Sequence, residues 1–350
     1  MIEKVGVQGW FYRECGAEIW TESSNKGPTD IYSDLIADGR IPDPFIDKNE
    51  NEVQWVATKD WEYQTQFKGS TNIGNFHRLI FHGLDTFAEI FLNGSKILHT
   101  DNMFMKYYID LESDQLLETN KLTIVFRSPL NVSKHLECKY GTLNCWNGDT
   151  SRLYVRKAQY HFGWDWGPRL ITMGPFRPIE FIASDTIISS FEIVVSKLNK
   201  SIAQGTISAT ITSNTPSHVN FSIKDPVTGN FVLEVNVPVV LSKPTTYDFS
   251  IKTPKLWYPS GLGNPFLYTF KCSTNGESSL KSYGFKTVEL VQETIPNKKG
   301  KSFYFKINDH PVQALGSNWI PGHSFVNKMK DSDYTRLLEL MVEGNQNMVR

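Results

Sequence analysis

The sequence predicts a mainly β protein that ends in the opening of an α/β domain. Short stretches rich in β-branched and aromatic residues recur before residue 300, and turns rich in glycine or proline separate them. Aromatic residues make up 13% of the chain, which suits strands. A single convincing amphipathic helix lies near the end of the chain. These three observations exclude an all-helical protein and favour stacked sheets.

The first region, residues 1–185, contains a clear hairpin signal. Leu79–Phe81 and Phe87–Leu92 are rich in strand-forming residues. Asn93 and Gly94 follow directly, and this dipeptide tolerates the left-handed backbone of a type I′ turn. Another strand is predicted from Lys121 onwards. We therefore expect the first domain to be built from strands.

The second region, residues 186–293, has short strands at regular spacing. Its strand-like stretches read GTISATITS, HVNFSIKD, FVLEVNVP, TYDFSIKT and FLYTFKCS. Turn residues, as in YPSGLGNP, separate some of them. This rhythm is typical of a small β-sandwich of about 100 residues.

The last region, residues 294–350, changes character. The stretch IPNKKGK resembles a linker, and SFYFKINDHPVQALGSN resembles a hairpin. Tyr334, Leu337, Leu338 and Met341 then form one apolar helical face, and the stretch NMV begins another strand. A strand–helix–strand order opens an α/β unit. A whole (β/α)8 barrel needs about 250 residues, so we expect only the start of a truncated barrel here.

Composition argues against several classes of function. Lys+Arg is 36 and Asp+Glu is 37, so the balance does not favour a nucleic-acid partner. No apolar run reaches the roughly 20 residues that span a bilayer, so we expect no membrane partner. The N-terminus lacks a signal-peptide pattern, which taken alone predicts a cytosolic protein. We expect no metal or cofactor, because no cysteine–histidine cluster has zinc-site spacing.

Other features point outside the cytosol. Four N-x-S/T sequons occur, at Asn93, Asn131, Asn199 and Asn220. A turn role is favoured for Asn93, whereas Asn131 and Asn220 are better glycan acceptors if the protein is secreted. Cys138 and Cys145 flank a short glycine-containing stretch and could form a disulfide in an oxidising compartment. The alternative is two unpaired thiols.

The stretch YHFGWDWGPRL, at residues 160–170, holds the principal candidate residue. Asp165 stands between Trp164 and Trp166, and glycines flank this trio. Burying an unpaired charge is costly, so residue types alone favour a buried Asp165 paired with a nearby arginine: Arg156, Arg169 or Arg177. We expect His161 to satisfy a backbone group.

Several stretches resemble the β-mannosidases, relatives of β-galactosidase and β-glucuronidase. These stretches occur in the family's order and cover almost the whole chain. Their sequences are most similar to those of the animal lysosomal enzymes. They include IPDPF (Ile41–Phe45), GLDTFAEIFLNG (Gly83–Gly94), RKAQYHFGWDWGP (Arg156–Pro168), YGFKTVELV (Tyr283–Val291) and GSNWIP (Gly316–Pro321).

The resemblance implies both a layout and an activity. The layout is a jelly-roll, galactose-binding-like domain, then an immunoglobulin-like β-sandwich, then the (β/α)8 barrel start. The activity is retaining hydrolysis of terminal non-reducing β-D-mannose in glycoprotein oligosaccharides, in the lysosome. The partner is thus a β-mannoside-terminated oligosaccharide. The family's two catalytic glutamates belong to later barrel strands, so we expect this chain to be inactive alone. The alternative is a stand-alone carbohydrate-binding or adhesion module of two β-sandwiches.

The resemblance also implies binding residues. Asp165 would accept hydroxyl hydrogen bonds from the terminal mannose, with Trp164 beside it, while Trp166 is expected in the core. Asn318 and Trp319 follow the first barrel strand, and barrel active sites form at the carboxyl ends of strands. A binding role is expected for both residues, and a packing role for Trp319 is an equal alternative.

Overall fold

A computed structural model describes residues 2–69, 74–213, 218–240, 243–274 and 277–350. These residues form two compact units. The first unit comprises Ile2–Ser184 and Pro321–Lys330, and the second comprises Asp185–Ile320 and Asp331–Arg350. Residues 321–330, which were assigned to the barrel region, lie in the first unit, and the limits of the three domains stay a prediction.

The first unit is a sandwich of two antiparallel sheets. One sheet has the order β1-β10-β5-β8 and the other has the order β3-β2-β4-β9-β6-β7. The strands are β1 (Ile2–Val7), β2 (Phe11–Glu14), β3 (Thr21–Glu22), β4 (Trp61–Lys68), β5 (Phe76–Phe81), β6 (Phe87–Leu92), β7 (Ser95–Thr100), β8 (Tyr107–Leu111), β9 (Thr119–Arg127) and β10 (Ile179–Ser184). The helices are α1 (Ile31–Ala37), α2 (Asn49–Glu52) and α3 (Pro129–Tyr140).

Alternation along the strands builds the core of this unit. In β4 every second side chain is buried, namely Trp61, Tyr63, Thr65 and Phe67, and the intervening side chains are more exposed. Residues of both sheets, such as Ile124 from β9 and Phe181 from β10, share one apolar cluster. Burial of large aromatic side chains between the sheets therefore stabilises the sandwich.

The predicted hairpin turn joins β6 to β7. Asn93 and Gly94 have φ values of 51° and 88°, the left-handed backbone that the dipeptide was predicted to adopt. The Asn93 side chain is fully engaged, since its oxygen accepts from the Lys121 amide at 2.9 Å. Its amide group donates to the Gln115 carbonyl and to Asn120 Oδ1, each at 3.0 Å. Asn93 therefore holds the turn against its neighbours.

The second unit contains the predicted β-sandwich. Its sheets have the orders β11-β12-β15 and β14-β13-β16-β17, and their buried side chains form one cluster. The strands are β11 (Thr186–Leu198), β12 (Ile202–Ser213), β13 (His218–Lys224), β14 (Phe231–Pro238), β15 (Thr245–Lys252), β16 (Tyr268–Thr274) and β17 (Glu277–Tyr283). The predicted mainly β fold is confirmed.

The last part of the second unit contains the predicted strand–helix–strand order. A small sheet is formed by β18 (Val288–Val291), β19 (Tyr304–Ile307) and β20 (His310–Val312). Strand β21 (Gly316–Ser317) then pairs in parallel with β22 (Met348–Val349), and α4 (Asp331–Glu343) lies between them in sequence. Within the described ranges, no helix has the length and apolar character that crossing a bilayer requires.

Candidate functional site

Asp165 lies at the corner of a tight turn in the first unit. The backbone amides of Trp164 and Gly167 each donate to the other's carbonyl, at 3.2 and 3.4 Å. This pairing leaves Asp165 and Trp166 as the two turn residues. Asp165 is exposed, and its carboxylate forms no hydrogen bond or ion pair with any residue that the structure describes. An exposed carboxylate without a protein partner is free to accept hydrogen bonds from the hydroxyl groups of a ligand.

The alternative of a buried ion pair at Asp165 is wrong. Arg169 instead bonds Gln54 Oε1 at 2.6 Å and approaches Asp149 Oδ2 at 3.5 Å. The guanidinium of Arg177 lies over the ring of Phe176. Arg156 is exposed to solvent. The charge of Asp165 therefore stays in water, where it costs little.

The two tryptophans of the turn have different neighbours. Trp166 is partly buried against Tyr160, with ring centroids 5.4 Å apart, so it is not the fully buried core residue that was predicted. The Trp164 ring has two neighbours: the guanidinium carbon of Arg152 is 4.8 Å from its centroid, and the centroid of Trp146 is 6.4 Å away. Sequence reasoning missed Trp146 and Arg152. The sequence feature that could have identified Trp146 is the presence of a tryptophan in the polar stretch NCWNGD.

A buried polar network includes Lys157 and His161, which precede this turn in sequence. The ammonium of Lys157 donates to Asp85 Oδ2 and, at 2.9 Å, to Thr172 Oγ1. Thr172 Oγ1 donates to Asp85 Oδ2 at 2.6 Å and lies 3.2 Å from His161 Nδ1. Although burial raises the pKa of Asp85, the Lys157 charge and these hydrogen bonds outweigh it and lower that pKa. The network is thus a fully bonded ion pair.

His161 connects this network to residues 321–330. Its Nε2 lies 3.0 Å from the carbonyl oxygen of Ser324, as was expected for a histidine that satisfies a backbone group. A carbonyl only accepts, so Nε2 carries the proton. Burial, with repulsion from Lys157, lowers the pKa of His161 to about 3, so the ring is neutral at pH 7. The Nε2 hydrogen bond therefore ties the short 3-10 turn Gln159–Phe162, which precedes the Asp165 turn, to residues 321–330.

Two further buried carboxylates have structural partners. Asp34 accepts hydrogen bonds from four side chains: Ser23 Oγ, Asn25 Nδ2, Thr29 Oγ1 and Tyr63 OH. Asp30 caps α1 by accepting from the Ser33 amide at 3.0 Å. Burial raises the pKa of both groups, to about 6 for Asp30. Their donors identify them as fold-stabilising groups rather than as a catalytic pair.

The other predicted binding residues lie in the second unit. Asn318 follows β21 and is exposed, and its Oδ1 accepts from Arg350 Nη1 at 3.2 Å. The ring of Trp319 stacks on Tyr334, with centroids 6.0 Å apart and an angle of 8°. Trp319 therefore has the packing contact that was the alternative to binding. A binding role for Asn318 and Trp319 stays a prediction.

The sequon asparagines already use their side chains. Asn131 lies in α3 and donates to the Thr58 carbonyl at 2.9 Å. Asn220 donates to Asn236 Oδ1 at 3.1 Å, and Asn199 Oδ1 accepts from two backbone amides. Glycosylation of these residues and of Asn93 stays a prediction.

The predicted disulfide between Cys138 and Cys145 is absent from the structure. Both residues are free thiols, which is the alternative that the sequence left open. Cys138 belongs to the last turn of α3, and Cys145 Sγ instead donates to the Asn147 carbonyl at 2.8 Å. Helix formation therefore sets the position of Cys138, which the pattern of spacing could not reveal.

Comparison with known proteins shows similarity over nearly the whole chain. Residues 10–177 match a model described as glycosyl hydrolase 2 galactose-binding domain-like, and residues 183–286 match glycosyl hydrolases family 2. The β-mannosidase B of Thermothelomyces thermophilus is 37% identical over 92% of this chain and 39% of its own length. The β-mannosidase B of Emericella nidulans is 33% identical over 98% of this chain and 42% of its own length.

Solved structures share the same fold. A β-D-mannosidase from Dictyoglomus thermophilum superposes with a TM-score of 0.91 at 35% identity, covering 100% of this chain and 44% of that protein. An exo-chitosanase of Amycolatopsis orientalis superposes at 0.71 with 17% identity over 99% of this chain and 40% of that protein, which shows the fold alone. The chain spans about two fifths of the curated relatives it matches.

Proposed function

We propose, from the premise that this chain belongs to glycosyl hydrolase family 2, that it is the N-terminal part of a retaining β-mannosidase. The substrate is a terminal non-reducing β-D-mannose in an oligosaccharide derived from glycoproteins. The names of its relatives, at 33–37% identity, support the β-mannoside specificity. We place the activity in the lysosome, although the curated relatives compared above are fungal.

The free carboxylate of Asp165 is the observation that carries this proposal. A turn closed by the Trp164–Gly167 pair presents it to solvent next to aromatic rings. Ionised carboxylates form strong charge-assisted hydrogen bonds with hydroxyl donors, and indole faces pack against the apolar faces of sugars. The role of this chain is therefore to bind and orient the terminal mannose.

Cleavage needs a pair of carboxyl groups that are free to act, and the buried carboxylates that the structure describes in the first unit do not form such a pair. Retaining hydrolysis uses two carboxyl groups about 5–5.5 Å apart. Asp30, Asp34 and Asp85 are buried and are held by donors or by Lys157. We propose that the 350-residue chain binds a β-mannoside without hydrolysing it. Turnover of an aryl β-mannoside by the purified chain would contradict this statement.

Binding by two matched variants tests the role of Asp165. In Asp165→Asn the side chain keeps its size but loses its charge, and we expect a loss of about 1.5–3 kcal/mol in binding of methyl β-mannoside. Asp114→Asn is the control, because Asp114 is also exposed and has no partner among the described residues. Dissociation constants from ligand-observed NMR check this. Equal affinity of Asp165→Asn and wild type would refute the binding role.

A further inference from the structure

Residues 141–149 form an ordered loop that presents a tryptophan to solvent. Trp146 is 81% exposed, and its ring lies beside the partly exposed ring of Trp164, so the two rings form an aromatic surface that a ligand can cover. The loop is anchored on both sides of Trp146. Tyr154 OH donates to the Gly141 carbonyl, and Arg152 Nη2 donates to Asn147 Oδ1 at 3.0 Å. These two contacts tie the loop to Arg152 and Tyr154 on either side of Trp146.

Arg152 fixes the neighbouring Trp164 as well. The side chain is 3% exposed, and its Nε and Nη1 have no hydrogen-bond partner among the described residues. A buried guanidinium without a carboxylate is costly, and the favourable contact it does make is with the ring face of Trp164, at 4.8 Å. Gly148, at φ 71°, permits this packing, since a Cβ there would approach Arg152 Nη1 to 2.7 Å. Arg152 is thus a positioning residue for the aromatic pair.

We infer that Trp146 and Trp164 form a stacking site for the second pyranose of the oligosaccharide, on the reducing side of the terminal mannose. The inference rests on the proposed function, because it takes the terminal mannose to be bound by Asp165. The centroids of the two rings are 6.4 Å apart and the ring planes are inclined by 39°, so Trp146 adds a second aromatic ring beside Trp164. Pre-ordered aromatic rings bind at a low entropic cost.

The test compares a monosaccharide with a disaccharide on the same protein. The probes are methyl β-mannoside and β-1,4-mannobiose, and ligand-observed NMR gives dissociation constants for the 350-residue chain. We expect the wild type to bind the disaccharide about three- to tenfold more tightly, which matches the energy of one aromatic contact. Trp146→Ala should remove this gain and leave methyl β-mannoside affinity unchanged. Trp146→Phe should keep part of it.

Control variants separate this inference from the proposed function. Leu143→Ala changes another exposed apolar residue of the loop and should alter neither affinity. Asp165→Asn should weaken both ligands, because both carry the terminal mannose. If Asp165→Asn weakens binding but Trp146→Ala retains the full disaccharide gain, the stacking site is wrong and the proposed function stands. If the wild type binds neither ligand, both are wrong.

A second copy of the chain is the competing occupant of the Trp146 surface. Sedimentation velocity over a range of protein concentrations measures self-association of the wild type and of Trp146→Ala. Self-association that disappears in Trp146→Ala, with an unchanged ratio of the two saccharide affinities, would overturn the inference. A monomeric wild type with the predicted loss of the disaccharide gain supports it.

Discussion

Replacing Lys157 by methionine is expected to destabilise the first unit by about 3–5 kcal/mol. The Lys157 and Asp85 side chains are 0% and 2% exposed, so water cannot replace the lost ammonium. Asp85 would keep the hydroxyl donors Thr86 and Thr172 but no positive partner. The expected loss is the cost of a buried charge without compensation, rather than the net value of the ion pair.

A second substitution separates those two quantities. Asp85→Asn removes the stranded charge, so the double variant should be more stable than Lys157→Met by at least about 1 kcal/mol, a size typical of coupling between contacting residues. Lys106→Met is the surface control, because Lys106 is exposed, and it should change stability by less than about 0.5 kcal/mol.

Urea unfolding followed by tryptophan fluorescence is the assay. Seven of the nine tryptophans lie in Ile2–Ser184, so the signal reports mainly on the first unit: Trp10, Trp20, Trp55, Trp61, Trp146, Trp164 and Trp166. The transition of this unit is fitted by itself, since a chain of two units need not unfold in one step. A loss below about 1 kcal/mol in Lys157→Met, or additive losses in the double variant, would refute the reasoning.

Two further predictions concern the same unit. The folded pKa of His161 is about 3, below its ordinary value of 6.5, so its stabilising contribution is present above pH 6.5 and is lost as the pH falls towards 3. His161→Gln, which can still donate to Ser324, should flatten this acid limb relative to wild type in urea unfolding at several pH values, and parallel curves would contradict this. Tyr63→Phe removes a donor to buried Asp34 and should cost about 1–3 kcal/mol in the free energy of unfolding. An unchanged urea midpoint would show that this hydrogen bond contributes nothing.

Local patterns predicted much of the fold. The strand predicted from Lys121 onwards is part of β9, and the Asn93–Gly94 turn follows from the backbone freedom of these two residues. The apolar spacing of residues 334–341 predicted α4 correctly. In each case the determining residues are neighbours in sequence, so the sequence contains the necessary information.

The site was less predictable because its contacts are distant in sequence. Lys157 and Asp85 are 72 residues apart, and no local pattern indicates their pairing. For Asp165 the cost of burial favoured an ion pair, yet the Trp164–Gly167 turn exposes the carboxylate and removes that cost. The loop that carries Trp146 is ordered by Arg152 from the following 3-10 turn, Thr150–Tyr154. These arrangements depend on tertiary packing.

A cycle of deoxygenated ligands tests the role of Asp165 most directly. Affinities of methyl β-mannoside and of analogues that each lack one hydroxyl are measured for wild type and for Asp165→Asn by ligand-observed NMR. We predict that at least one analogue binds wild type less tightly than the parent mannoside does. The same analogue should bind wild type and Asp165→Asn with equal affinity, because it lacks the hydroxyl that donates a hydrogen bond to Asp165. If every lost hydroxyl costs the same affinity in both proteins, Asp165 does not bind the terminal mannose.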